Sequence, residues 1–138
     1  MQSLKMMHIN LAKSDAAKYA FLPGNPDRCI KIARYLDNYK KIAQNREHTS
    51  YEGWLEGEKV LVVSTGMGGP SAAICMEELV KIGADTFIRV GTCASTSKEV
   101  VRGDVVLPNG IVRMEGTGLH YLPVEFPAVP DYKLLRHL

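Results

Sequence analysis

The chain has 138 residues, 46% of them hydrophobic and 23% charged, the balance of a globular domain able to bury a core. A net charge of +2 and a pI near 8.4, with Lys and Arg scattered among Asp and Glu, exclude a nucleic-acid surface built on basic runs. The first residues hold no apolar core of signal-peptide length and no segment approaches the roughly 18 apolar residues of a membrane span, so no membrane partner is expected and the cytoplasm is the expected compartment.

After a polar N-terminal segment that includes His8, Tyr19 to Leu22 is a short apolar run that meets Pro23-Gly24-Asn25-Pro26. Ile30, Ala33 and Leu36 then recur at helical spacing, with Asn25 as N-cap and Pro26 at the first helical position, where a proline loses only an amide without an intrahelical partner. Lys41 to Asn45 and Ser50 to Leu55 are expected as antiparallel strands, the second ending in the turn Glu56-Gly57-Glu58. Lys59 to Ser64 is nearly all apolar, as strands buried on both faces are, and leads through Thr65-Gly66-Met67-Gly68-Gly69-Pro70 into a helix ending near Lys81. Asp85 to Val90 is a further strand closed by Gly91-Thr92; Val105 to Leu107 and Ile111 to Met114 add strand material, and Asp131 to Leu138 begins another helix. The alternation predicts an α/β fold whose sheet is mixed because of the central hairpin, and the absence of repeats or a linker predicts one domain over 1–138.

In an open α/β sheet, ligands bind beyond the carboxyl ends of the strands, and three such ends here carry Gly-Asn-Pro-Asp-Arg, Thr-Gly-Met-Gly-Gly-Pro-Ser and Arg-Val-Gly-Thr. Gly24 allows backbone amides to approach an anion at a helix N-terminus, and Arg28 lies one turn into that helix. Arg89 stands within an apolar strand, where a guanidinium needs either a ligand anion or an internal carboxylate. Gly66, Gly68 and Gly69 match no phosphate-loop pattern and read as tight strand-to-helix packing. Cys29, Cys75 and Cys93 lack ligand spacing and are expected as reduced thiols, His48, His120 and His137 suggest no metal site, and Cys93 has no partnered base that would make it a nucleophile.

Taken together, Gly24-Asn-Pro-Asp-Arg28, the segment Ser64 to Leu79 and Arg89-Val-Gly-Thr92 resemble the nucleoside phosphorylase family, which includes uridine phosphorylases and hexameric purine nucleoside phosphorylases. The resemblance implies a mixed-sheet three-layer α/β/α sandwich of the nucleoside phosphorylase type, truncated to a single domain that lacks the C-terminal part of the family fold. The segment Leu119 to Asp131 is similar to the uridine branch, implying a pentosyltransferase of nucleoside salvage that converts uridine and phosphate to uracil and ribose 1-phosphate. By the same resemblance, Gly24, Arg28, Arg46, Arg89 and Thr92 bind phosphate, Arg46 reaching a neighbouring subunit's phosphate, and Arg89 and Thr92 are the catalytic pair. His8, Thr92, Cys93 and Ala94 meet the nucleoside, His8 across the subunit interface at the ribose 5′ hydroxyl. Glu47, Met67 and Ser71 match a potassium site at a dimer interface, and the expected assembly is a dimer or a hexamer built as a trimer of dimers. Inorganic phosphate is the co-substrate and no organic cofactor is implied.

This sequence departs from the family pattern at Cys93-Ala94, where uridine phosphorylases have Thr-Gly or Ser-Gly, and no counterpart of the family's base-recognising Gln/Arg loop or its Met-Glu-x-Glu segment occurs before Leu138. Two alternatives stay open: a purine nucleoside phosphorylase, and an inactive truncated half that binds phosphate or oligomerises.

Overall fold

Tyr19–Pro23 forms an interior strand of the sheet, β1, and its alternating side chains divide the core in two. The computed structural model describes residues 4–138. Its backbone falls into a first compact unit ending at Gly91 and a second, Thr92–Leu138.

In the first unit, β1 is followed by α1 (Asp27–Ala33), β2 (Asp37–Asn45), β3 (His48–Leu55), β4 (Glu58–Val63), α2 (Gly69–Ile82) and β5 (Thr86–Val90). The sheet order is β2-β3-β4-β1-β5. β1 runs parallel to both β4 and β5, whereas β2, β3 and β4 are successive antiparallel neighbours, so the sheet is mixed as expected. Tyr19, Phe21, Val60 and Val62 pack with Cys29, Ala33 and Leu36 on the α1 face. Ala20, Leu22, Leu61 and Val63 pack with Cys75, Leu79 and Ile82 on the α2 face, where Ile9 and Leu11 join them. Two helices on opposite faces of one sheet give the three-layer α/β/α arrangement. Each fully buried leucine, such as Leu61 or Leu79, contributes roughly 1.5–3 kcal/mol of burial.

The start of α1 falls one residue later than expected, with Pro26 in the N-cap position and Asp27 first in the helix. Asn25 Oδ1 accepts from Asp27 N at 2.8 Å, and Pro26 already has helical φ and ψ of −52° and −38°. In the hairpin, the buried carboxylate of Glu52 on β3 binds Lys40 of β2 at 2.9 Å and Lys59 of β4 at 2.8 Å, tying three strands together.

The second unit differs from the sequence expectation. Val105 to Leu107 form no strand, and of Ile111 to Met114 only Ile111 pairs, in a single antiparallel bridge to Ala128. Apolar composition alone does not make a strand; a ladder needs a neighbouring row of N–H and C=O groups. The unit is organised instead around Arg113, whose guanidinium donates to the carbonyls of Gly118, Leu122, Pro123 and Phe126. The expected helix from Asp131 is a single turn, α3 (Tyr132–Leu135), capped by Asp131 Oδ1 accepting from Leu134 N at 2.8 Å. No helix among the described residues is long and apolar enough to cross a membrane.

Candidate functional site

The parallel ladder between β1 and β4 continues past the strands, with Thr65 N donating to Pro23 O at 2.9 Å and Gly66 N to Gly24 O at 3.0 Å. These bonds place the two glycine turns side by side at the carboxyl ends, where α1 and α2 leave on opposite faces. Arg89, at the end of β5, pairs in register with Leu22 of β1. Its Nη1 donates to Leu22 O at 2.9 Å, which swings the guanidinium over Gly24. A methyl group on Gly24 would lie 3.1 Å from Arg89 Nη2 and 3.5 Å from Gly66 O, so only a residue without a side chain leaves the guanidinium in place. Gly24, Gly66 and Arg89, one from each strand end, therefore meet in the first unit.

Two expectations are corrected here. Arg89 is not buried in the apolar strand; it is exposed, and among the described residues no carboxylate lies within ion-pair distance of it. The first-turn amides of α1 are also already partnered, Asp27 N by Asn25 Oδ1, Arg28 N by Asn25 O and Cys29 N by Pro26 O. An anion at this sheet end would therefore have to be met by guanidinium groups rather than by the first-turn amides. Arg28 is half-buried on that first turn, directly after the Gly24 turn.

Arg46 and Glu47 form the tip of the β2–β3 hairpin, with Arg46 held at a left-handed φ of 52°. Strain of this kind at a non-glycine residue persists only where the surroundings fix it. The fixing group is Ser64, missed by the sequence reading: its hydroxyl donates to Glu47 O at 2.6 Å and accepts from Thr49 N at 2.7 Å, while buried His48 Nδ1 donates to Ser64 O at 2.8 Å. The hairpin tip is thereby bolted to the end of β4, beside the glycine turn.

Glu47 and Ser71 do come together. Ser71 Oγ lies 2.8 Å from Glu47 Oε1 and 2.5 Å from Thr65 O, although a hydroxyl has one hydrogen to give. Its own backbone N–H and the Ser71 hydroxyl hold the Glu47 carboxyl below the ordinary glutamate range, so three oxygens share one proton. That donor set fits a hard monovalent cation. Met67, between them in sequence, has a fully exposed side chain. Gly66 has φ +71°, and a methyl there would stand 2.5 Å from Glu47 Cγ.

His8 lies elsewhere on the first unit. Its Nδ1 is 2.7 Å from Glu78 Oε1, and Asn45 Nδ2 donates to His8 O at 2.8 Å. Glu78 was also missed, though an acidic residue on the same helical face as Cys75 and Ile82 is a readable signal of a buried carboxylate with a task. Thr92, Cys93 and Ala94 open the second unit. All three cysteines are free thiols; burial pushes Cys29 up to about 11 and Cys75 up to about 12, which leaves both protonated and unreactive at neutral pH.

Residues 18–138 match the family model described as the phosphorylase superfamily. The chain is 50% identical over 131 residues to a uridine phosphorylase of Treponema pallidum (strain Nichols), covering 95% of this chain and 51% of the relative. It is 42% identical over 135 residues to the uridine phosphorylase of Escherichia coli (strain K12), covering 96% and 53%. A guanosine phosphorylase of Halorubrum lacusprofundi is 40% identical over 134 residues, covering 97% and 56%. The chain spans about half the length of the curated relatives it matches.

Proposed function

The chain belongs to the phosphorylase superfamily, and from this premise we propose that it supplies the phosphate-binding part of a uridine phosphorylase, which splits uridine with inorganic phosphate into uracil and ribose 1-phosphate. The observation that carries the reading is the guanidinium of Arg89, anchored through Nη1 over side-chain-free Gly24 and lacking a carboxylate partner among the described residues. Its remaining N–H groups supply the bidentate geometry that phosphate oxygens match.

In this reading Arg28 and Arg89 orient a phosphate whose oxygen attacks the anomeric carbon as the bond to uracil breaks, and Thr92 donates to the same anion. The work is positioning and charge stabilisation beside a carbon that becomes cationic, and no covalent nucleophile is required. Arg46, at its fixed hairpin tip, serves the phosphate of a neighbouring subunit in a dimer or hexamer, and His8 serves a neighbouring ribose; Cys93 and Ala94 border the nucleoside. Glu47 and Ser71, with the backbone at Met67, hold a potassium ion at the dimer interface, which would neutralise the carboxylate there. The proposed compartment is the cytoplasm, where free thiols persist.

Identity to uridine phosphorylases at 50% and 42% favours uridine over the reading suggested by the guanosine phosphorylase of Halorubrum lacusprofundi at 40%. The test is base release by the purified protein, with and without phosphate. Uracil from uridine, only when phosphate is present, is the expected result; guanine from guanosine with uridine untouched would select the purine reading, and phosphate binding without turnover would select a non-catalytic half.

A further inference from the structure

The carboxylate of Glu78, on α2, is buried and meets three donors of the segment His8-Ile9. Oε1 accepts from His8 Nδ1 at 2.7 Å and from His8 N at 3.2 Å, while Oε2 accepts from His8 N at 3.0 Å and Ile9 N at 2.9 Å. Burial pushes this carboxyl up, but the hydrogen bonds from Ile9 and His8 outweigh it and hold Glu78 below the ordinary glutamate range. It is therefore ionised at neutral pH and can only accept. On the other side, Asn45 Nδ2 donates to the carbonyls of His8 and Met7 at 2.8 and 3.0 Å, and Ile9 and Leu11 are sunk in the core. The His8 backbone is fixed from several directions, yet its side chain remains 29% exposed.

An ionised carboxylate has no proton to give, so a neutral His8 ring facing it must carry its proton on Nδ1, which leaves a lone pair on Nε2. We propose that Glu78 is a positioning residue that fixes neutral His8 as the Nδ1–H tautomer, so that Nε2 accepts a hydrogen bond from the 5′ hydroxyl of a ribose. The ligand half rests on the uridine phosphorylase reading above; the tautomer half rests on geometry within this chain. Glu78→Gln separates a carboxylate from its near-isostere. The amide nitrogen must face either the backbone N–H groups of His8 and Ile9, which then lose an acceptor, or Nδ1 of His8, which must then become an acceptor and send its proton to Nε2.

The test is nitrogen NMR of the isotope-labelled chain, at a pH well above the ordinary histidine range. Wild-type His8 should show a protonated Nδ1 and an unprotonated Nε2, and Glu78→Gln should lose that preference, whereas Glu78→Asp, with two acceptor oxygens, should restore it. An Nε2–H tautomer in the wild type, a spectrum that needs no variant to fold, would overturn the proposal, as would a Glu78→Gln spectrum identical to it. In the uridine-splitting protein, the ratio of kcat/KM for uridine over 5′-deoxyuridine should fall by about tenfold in Glu78→Gln, the size of one neutral hydrogen bond. A shifted tautomer with an unchanged ratio would overturn the assignment to the ribose hydroxyl. The predicted tautomer in a protein that splits no nucleoside would defeat the phosphorylase reading and leave the Glu78–His8 pairing in place, so the two failures are distinguishable.

Discussion

At Gly24 a single methyl group separates structure from function. It would stand 3.1 Å from Arg89 Nη2, the end of a flexible exposed side chain that can move aside at small cost. Gly24→Ala should therefore leave thermal stability nearly unchanged while phosphate affinity drops by about tenfold, because the displaced guanidinium loses a charge-assisted contact. Calorimetry of unfolding and a phosphate titration on the same variant check both halves; a large loss of stability with intact phosphate binding would contradict it. Gly66 makes the opposite case. Its φ of +71° and the 2.5 Å approach to Glu47 Cγ leave no cheap escape, so Gly66→Ala should destabilise by about 1–3 kcal/mol in urea unfolding. Gly24, Arg28 and Arg89 were legible as motif residues because strand ends of an α/β sheet converge. The exposed setting of Arg89 was not, because an apolar run does not tell whether its last residues reach past the sheet. Ser64 and Glu78 went unread for a related reason: their partners, Glu47 and His8, lie 17 and 70 positions away in sequence.

The secondary-structure elements divide along the same line. Strands and helices of the first unit were readable because each buries an apolar face against another, and the hairpin boundaries moved only outward, β2 starting at Asp37 and β3 at His48. In the second unit local apolar pattern misled, since Val105 to Leu107 found no ladder. At the hairpin, burial pushes the Glu52 carboxyl up, but hydrogen bonds from Lys59 and Lys40 outweigh it and the net value is lowered. A carboxyl whose folded-state pKa lies below its unfolded value of about 4.3 contributes stability that is fully present above that pH and lost as pH falls through the folded value. Glu52→Gln should thus be less stable than wild type at neutral pH, with the gap closing on acidification below about pH 4. Urea midpoints across that range measure it, and a gap independent of pH would count against the ion pairs. Leu79→Ala, fully buried on the α2 face, should cost about 2–5 kcal/mol by transfer and cavity terms.

At the scale of the whole molecule, the first unit carries guanidinium groups at one sheet end, a hairpin tip bolted beside it, and a histidine latched to α2. The chain spans about half the length of its curated relatives, and the central proposal for it is that Arg28 and Arg89 gather around one anion. The direct measurement is a double-mutant cycle on inorganic phosphate binding, with wild type, Arg28→Ala, Arg89→Ala and the double variant titrated at fixed ionic strength. One phosphate per chain, with each single change weakening binding at least tenfold and the double costing less than the sum, is the predicted result. Phosphate binding untouched by either change, or losses that add as for two independent sites, would contradict it.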